Sequence, residues 1–174
     1  MITTTKKLID NCPLAYVSTL IMKNQDLEKL KGICGKVADS CMGMRVRKAA
    51  RAVANHYDKH LKPAGLKGTQ FTLLNTIFMN PAATIGQLAD ILGLDRTTLN
   101  RNLKPLEGKG LIRSGSGKDP RTRTLILTKE GTKILQNALP YWLEAQSGVM
   151  ETADHRIKRL MDDLSELEKL GNLS

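Results

Sequence analysis

The chain has 174 residues, 41% of them hydrophobic, enough for one compact unit with a sizeable core. Its 27 Lys and Arg against 17 Asp and Glu leave a formal charge of +10, which suits a polyanionic partner. Two Phe, three Tyr and one Trp are too few for single-strand binding through stacked bases, and no phosphate-cradling glycine loop or nucleophile–base spacing speaks for an enzyme.

Residues 1–33 match no recognised pattern and form an N-terminal extension without an assigned role. Lys6 and Lys7 precede an apolar stretch, 14–22, but Tyr16, Ser18 and Thr19 interrupt it and no small-residue cleavage site follows. Neither a signal peptide nor a membrane span is therefore expected. Three cysteines without an export signal indicate reduced thiols and a cytoplasmic location.

From Lys36 to Leu61, Val46, Ala49, Ala50, Val53, Tyr57 and Leu61 share one stripe of an amphipathic helix that Pro63-Ala64-Gly65 ends. The basic run Arg45, Arg47, Lys48, Arg51 reads most simply as its solvated face. Cys34 and Cys41, seven apart, would have Cα atoms ~10.5 Å apart on one helix, beyond disulfide reach. Each is either a small apolar filler or, for Cys41 near Arg45, a thiolate able to sense oxidants. His56 and His60 have metal-ligand spacing, but no third ligand shares their face, so neither metal nor cofactor is expected. The next helix, about Thr69 to Met79, carries Phe71, Leu74 and Phe78 as core anchors, and Asn80-Pro81 stops it.

Thr84-Ile85-Gly86-Gln87 has the Thr and Gln of a reciprocal cap. Leu88, Ala89, Ile91 and Leu92 give the helix that follows a buried face, Gly93 ends it, and Asp95 caps another. In that second helix Leu99, Leu103 and Leu106 recur at i, i+4, i+7 and must face inward. Arg96, Thr97, Thr98, Asn100, Arg101 and Lys104 are left outside or flanking, with no carboxylate among them. Arg and Asn are the side chains that read guanine and adenine edges in a major groove, and Thr can meet a thymine methyl. Pro105 removes a backbone donor, so a kink or early stop is expected there.

Residues 111–114 and 123–127 read as strands, and the turn-rich 115–122 between them makes a hairpin with a basic tip. Lys118, Arg121 and Arg123 have the chemistry for a minor groove or its phosphates, with Asp119 as an acceptor that holds an arginine. Thr128 caps a helix through Ile134, Leu135, Ala138, Leu139 and Trp142, with a bend expected at Pro140. From about Asp154 a last helix carries Ile157, Leu160, Leu164 and Leu167 in a seam flanked by Met161 and Leu170. That seam is either a dimer interface or a surface for the chain's own first helix. Charge follows the same division: residues 36–62 and 95–123 are each net +5, whereas 124–174 is net −2.

In order and spacing, 88–99, 106–112, 119–123 and 127–131 resemble the MarR family of winged helix-turn-helix transcription regulators, with the likeness running from about Cys34 to Ser147. The resemblance implies a mainly α fold with a small β-hairpin wing (α+β). Its helical dimerisation region comprises 34–62 and 129–174, and its DNA-binding winged helix-turn-helix domain is 63–128. It implies a sequence-specific regulator, more often a repressor, that binds double-stranded DNA as a homodimer. Two recognition helices related by a two-fold would read an inverted repeat with half-sites ~10 bp apart. By the same resemblance the helix from Asp95 to Lys104 enters the major groove, Arg121 reaches the minor groove, and Arg123 stands at the wing base. A small aromatic or phenolic effector would bind in a cleft lined by Met44, Arg51, Tyr57, Phe71 and Trp142. Two alternatives stay open: a redox-responsive regulator of this fold using Cys41 or Cys34, and a nucleoid-associated protein that binds DNA without reading sequence.

Overall fold

The computed structural model describes residues 24–81, 83–116 and 123–172. The chain divides into two compact units, 1–49 and 50–174.

In the first unit, α1 (Asn24–Ser40) is followed after Cys41 by the start of α2 (Met42–Leu61). The helix thus begins well before Lys36. Helical hydrogen bonds pass through the junction, Cys41 N–H to Val37 O at 2.8 Å and Arg45 N–H to Cys41 O at 3.1 Å. Leu27, Leu30, Ile33 and Val37 are exposed on α1.

The second unit holds the core. A short 3-10 turn, Lys62–Ala64, ends α2 and leads to α3 (Gly68–Met79). The Asp58 carboxylate on α2 accepts from Gly68 N–H at 2.7 Å, satisfying an orphan donor where negative charge is favourable. Phe71, Leu74 and Ile77 are buried on α3, but Phe78 is 52% exposed. The core stripe steps 71, 74, 77, so Ile77 fills the position expected for Phe78, and Phe78 is turned ~100° away.

Thr84 caps α4 (Ile85–Leu92) as its spacing predicts: its hydroxyl accepts from Gln87 N–H at 3.3 Å and Gln87 Oε1 accepts from Thr84 N–H at 2.9 Å. Leu88 and Ala89 are buried, whereas Ile91 is 55% exposed because it lies roughly a third of a turn from the stripe centred on 85, 88, 89 and 92. Gly93, at φ 61°, closes the helix, and Leu94 N–H reaches back to Ala89 O at 2.9 Å. The turn delivers the chain to Asp95 and α5 (Arg96–Gly108).

Helix α5 continues past Pro105, because the missing donor costs only the one bond to the Arg101 carbonyl while buried Leu106 anchors the final turn. After it, β1 (Ile112–Ser116) and β2 (Arg123–Leu127) pair antiparallel with Ile112 opposite Leu127 and Ser114 opposite Leu125. Thr124 of β2 bridges to Thr84, fastening the hairpin to the start of α4.

The 25-residue α6 (Lys129–Ala153) runs through Pro140 without a break. Leu135 and Ala138 are buried in the core, and Trp142 stacks on Phe71 with ring centroids 5.8 Å apart. A turn at Asp154, φ 49°, and a 3-10 segment lead to α7 (Ile157–Glu168).

One close approach joins the wing to α6. Thr128 N–H donates to Leu111 O at 3.0 Å, its hydroxyl donates to Gly110 O at 2.7 Å, and the same oxygen accepts from Gly131 N–H at 3.0 Å. A Cβ on Gly131 would stand 1.9 Å from the Leu111 carbonyl oxygen, a backbone atom that cannot swing aside. Gly131→Ala should therefore destabilise the fold by about 3 kcal/mol. A urea midpoint equal to wild type would remove this account of the joint.

Candidate nucleic-acid interface

The geometry of α5 is set from its N-terminus. Asp95 Oδ1 accepts from Thr98 N–H at 2.8 Å, and Oδ2 accepts from the Thr98 hydroxyl at 2.7 Å. The hydroxyl and then the amide of Thr98 hold the Asp95 carboxyl below the usual carboxylate range. Leu99, Leu103 and Leu106 are at most 1% exposed. Each contributes about 2 kcal/mol of apolar burial to fixing the rotation of the helix.

With that face locked, Arg96, Thr97, Asn100, Arg101 and Lys104 are all exposed. Thr97 and Lys104 each lie three and four residues from the adjacent pair Asn100 and Arg101, so the four share one outer stripe. Thr98 differs: it is half-buried and its only proton is bound to Asp95, so it offers a methyl and lone pairs but no donor. Arg113 on β1 is exposed beside this surface in sequence, and the alternation of the strand signals it. Its place in a strand rather than on the helix or at the hairpin tip hides it from the motif that marks the other basic residues. Lys118, Asp119 and Arg121 lie outside the described residues, and Arg123 is placed only through its backbone, opposite Ser116.

The five expected effector-pocket residues lie as follows. Met44 is exposed in the first unit, and Arg51 is exposed in the second. The Tyr57 hydroxyl donates to Gln146 Oε1, and burial pushes its pKa up. Phe71 and Trp142 stack on each other against the core. A groove of about 730 Å³ opens between α2, α6 and α7, lined by Val53, His56, Val149, Thr152, Arg156 and Leu160 among others, and it includes none of the five. His56 Nε2–H donates to Ala145 O at 2.9 Å and His60 Nδ1–H to His56 O at 2.9 Å, which assigns a proton to each ring. Cys34 is exposed and Cys41 half-buried, both as free thiols. Among the described residues no helix is long and apolar enough to cross a membrane.

Two helices at a glycine turn, a hairpin behind them and a capped helix closing the hairpin define a winged helix-turn-helix protein. Residues 64–121 match the family model described as MarR family. The chain is similar to the M. tuberculosis transcriptional regulator MosR, seen in complex with DNA: 34% identical, TM-score 0.69, covering 76% of this chain and 97% of that one. A MarR from E. coli complexed with operator DNA shares the fold at TM-score 0.67 and 19% identity, over 75% of this chain and 96% of that one. Bacillus subtilis YwoH, described as an uncharacterized HTH-type transcriptional regulator, is 28% identical over 89 residues. Those residues are 51% of this chain and 65% of YwoH, just under two thirds of that relative. The chain belongs to the MarR family.

The Asp95 cap has a pH signature. Because its folded pKa is depressed, the stabilisation is complete above the unfolded carboxylate pKa and is lost as pH falls through the lower folded value. Exchange protection of the Thr98 amide should therefore drop in acid below the ordinary carboxylate range. Asp95→Asn, which caps without titrating, should show no such step. An identical acid step in that variant would contradict the assignment.

Proposed function

We propose that this chain is a sequence-specific transcription regulator that binds double-stranded DNA as a homodimer, reading an inverted repeat with half-sites ~10 bp apart. The observation that carries the reading is the exposed, carboxylate-free stripe Thr97, Asn100, Arg101, Lys104 on a helix whose reverse face is locked by three buried leucines. Asn100 and Arg101 are bidentate readers of adenine and guanine edges, and Lys104 and Arg96 suit phosphate. Arg121 and Lys118 at the wing tip supply the minor-groove contact, with Arg123 at its base. MosR, similar along nearly its full length, is a transcriptional regulator with a DNA complex, which supports the same partner here.

Residues 63–128 form the DNA-binding part in this reading, and 34–62 with 129–174 the dimerising part. The support for dimerisation is α7: Leu160, Met161, Leu164 and Leu167 are 44%, 57%, 38% and 38% exposed, an apolar seam left open to water. Helix α7 carries four acidic and two basic side chains, while the run Arg45, Arg47, Lys48, Arg51 on α2 is wholly basic, so faces of opposite charge are available to a two-fold pair. Repression, release by a small aromatic effector and a cytoplasmic location on the nucleoid complete the proposal.

Selection of duplexes from a random pool tests it. The wild-type chain should enrich an inverted repeat. Asn100→Ala should relax preference at one base position by about 1–3 kcal/mol, and Arg121→Ala should weaken binding to all sequences alike. Enrichment of no motif would leave a protein that coats DNA without reading it. Leu160→Asp with Leu164→Asp should give monomers by sedimentation and cost ~10²- to 10⁴-fold in affinity for the repeat. A dimer that survives both changes would place the interface elsewhere.

A further inference from the structure

Gly86 is the second residue of α4, opposite the start of the recognition helix. A Cβ built on it would stand 3.1 Å from Arg96 Nη2 and 3.6 Å from both Cζ and Nε. The Nε–Cζ–Nη2 side of the Arg96 guanidinium therefore packs obliquely against the space that a side chain on Gly86 would occupy. Among the described residues no carboxylate pairs with Arg96, and the side chain is otherwise exposed. A long arginine whose contact is with a bare glycine spends no N–H group on it, and its fork of donors fits phosphate or a guanine edge.

We propose that Gly86 is a positioning residue for DNA binding: its missing side chain is the platform on which Arg96 rests, and from that platform the guanidinium edge meets an oxygen of the duplex. The inference rests on the DNA-binding reading above. Any side chain at 86 narrows the contact below van der Waals distance and moves the guanidinium by a few tenths of an ångström or into another rotamer. Glycine is a poor helix former, and alanine here would strengthen α4 by propensity alone. Stability and DNA affinity should therefore respond to Gly86→Ala in opposite directions, which a purely structural glycine would not produce.

The test is a double-mutant cycle on a selected duplex across a range of salt, with thermal unfolding beside it. Arg96→Ala should weaken binding about tenfold and reduce the slope of log K against log salt by about 1. Gly86→Ala should weaken binding by about fivefold while its unfolding temperature stays level or rises. Added to Arg96→Ala, it should change affinity no further. Gly86→Ala binding as tightly as wild type, or weakening binding equally with and without Arg96, would overturn the proposal while leaving the regulator reading intact. A wild-type chain that enriches no duplex would remove the regulator reading first, before any variant is compared.

Discussion

Three leucines decide what the outer face of α5 can be. Leu99, Leu103 and Leu106 are sealed from water, so the rotation of the helix about its axis is fixed by apolar burial. A helix that could roll by one residue would turn Asn100 and Arg101 roughly 100° away from their present direction. Base-edge readout requires polar groups at set positions. The fixed roll supplies that constraint, and the Asp95 cap and Gly93 turn set the starting point of the same helix.

The wing depends on a second fixed point. Leu111 O accepts from Thr128 N–H, while the Thr128 hydroxyl bonds Gly110 O and also accepts from Gly131 N–H. The end of α5, the base of the hairpin and the start of α6 thus share one cluster of backbone groups. Thr124, bridged to Thr84, ties the second strand to the helix that precedes recognition. Both DNA-facing elements of the proposed function therefore hang from one rigid frame, which limits the entropy lost when they engage two grooves at once. Among the described residues the α7 seam stays partly open to water, with Leu160, Leu164 and Leu167 38–44% exposed, and covering that apolar surface would be favourable.

Much of this frame was legible in the residues because its signals are local. Thr84 with Gln87, Gly93, Asp95, Thr128 and the i, i+4, i+7 leucines are each set by bonds or spacings within one or two turns, and each took the conformation its pattern called for. The family resemblance came from the same short runs. The misses were matters of angle and neighbour. Phe78 and Ile91 are as apolar as Ile77 and Leu92, and hydrophobicity alone did not say which would lie on the stripe that meets the core. Pro105 and Pro140 signal interruptions by their missing donors, but a helix anchored by buried side chains on either side of a proline tolerates one lost bond.

The sequence by itself determined where helices start and stop, which face of α5 is apolar, and that the outer residues from Arg96 to Lys104 include no carboxylate. These follow from backbone hydrogen bonding and periodicity, which act over a few residues. Only the tertiary structure decided that the Thr98 hydroxyl is spent on Asp95, that Trp142 stacks on Phe71, and that the Arg96 guanidinium lies on Gly86. The stack and the guanidinium contact join residues distant in the chain, while Thr98 depends on the rotamer its hydroxyl adopts. A side chain's free donors are known only once its neighbours have taken theirs.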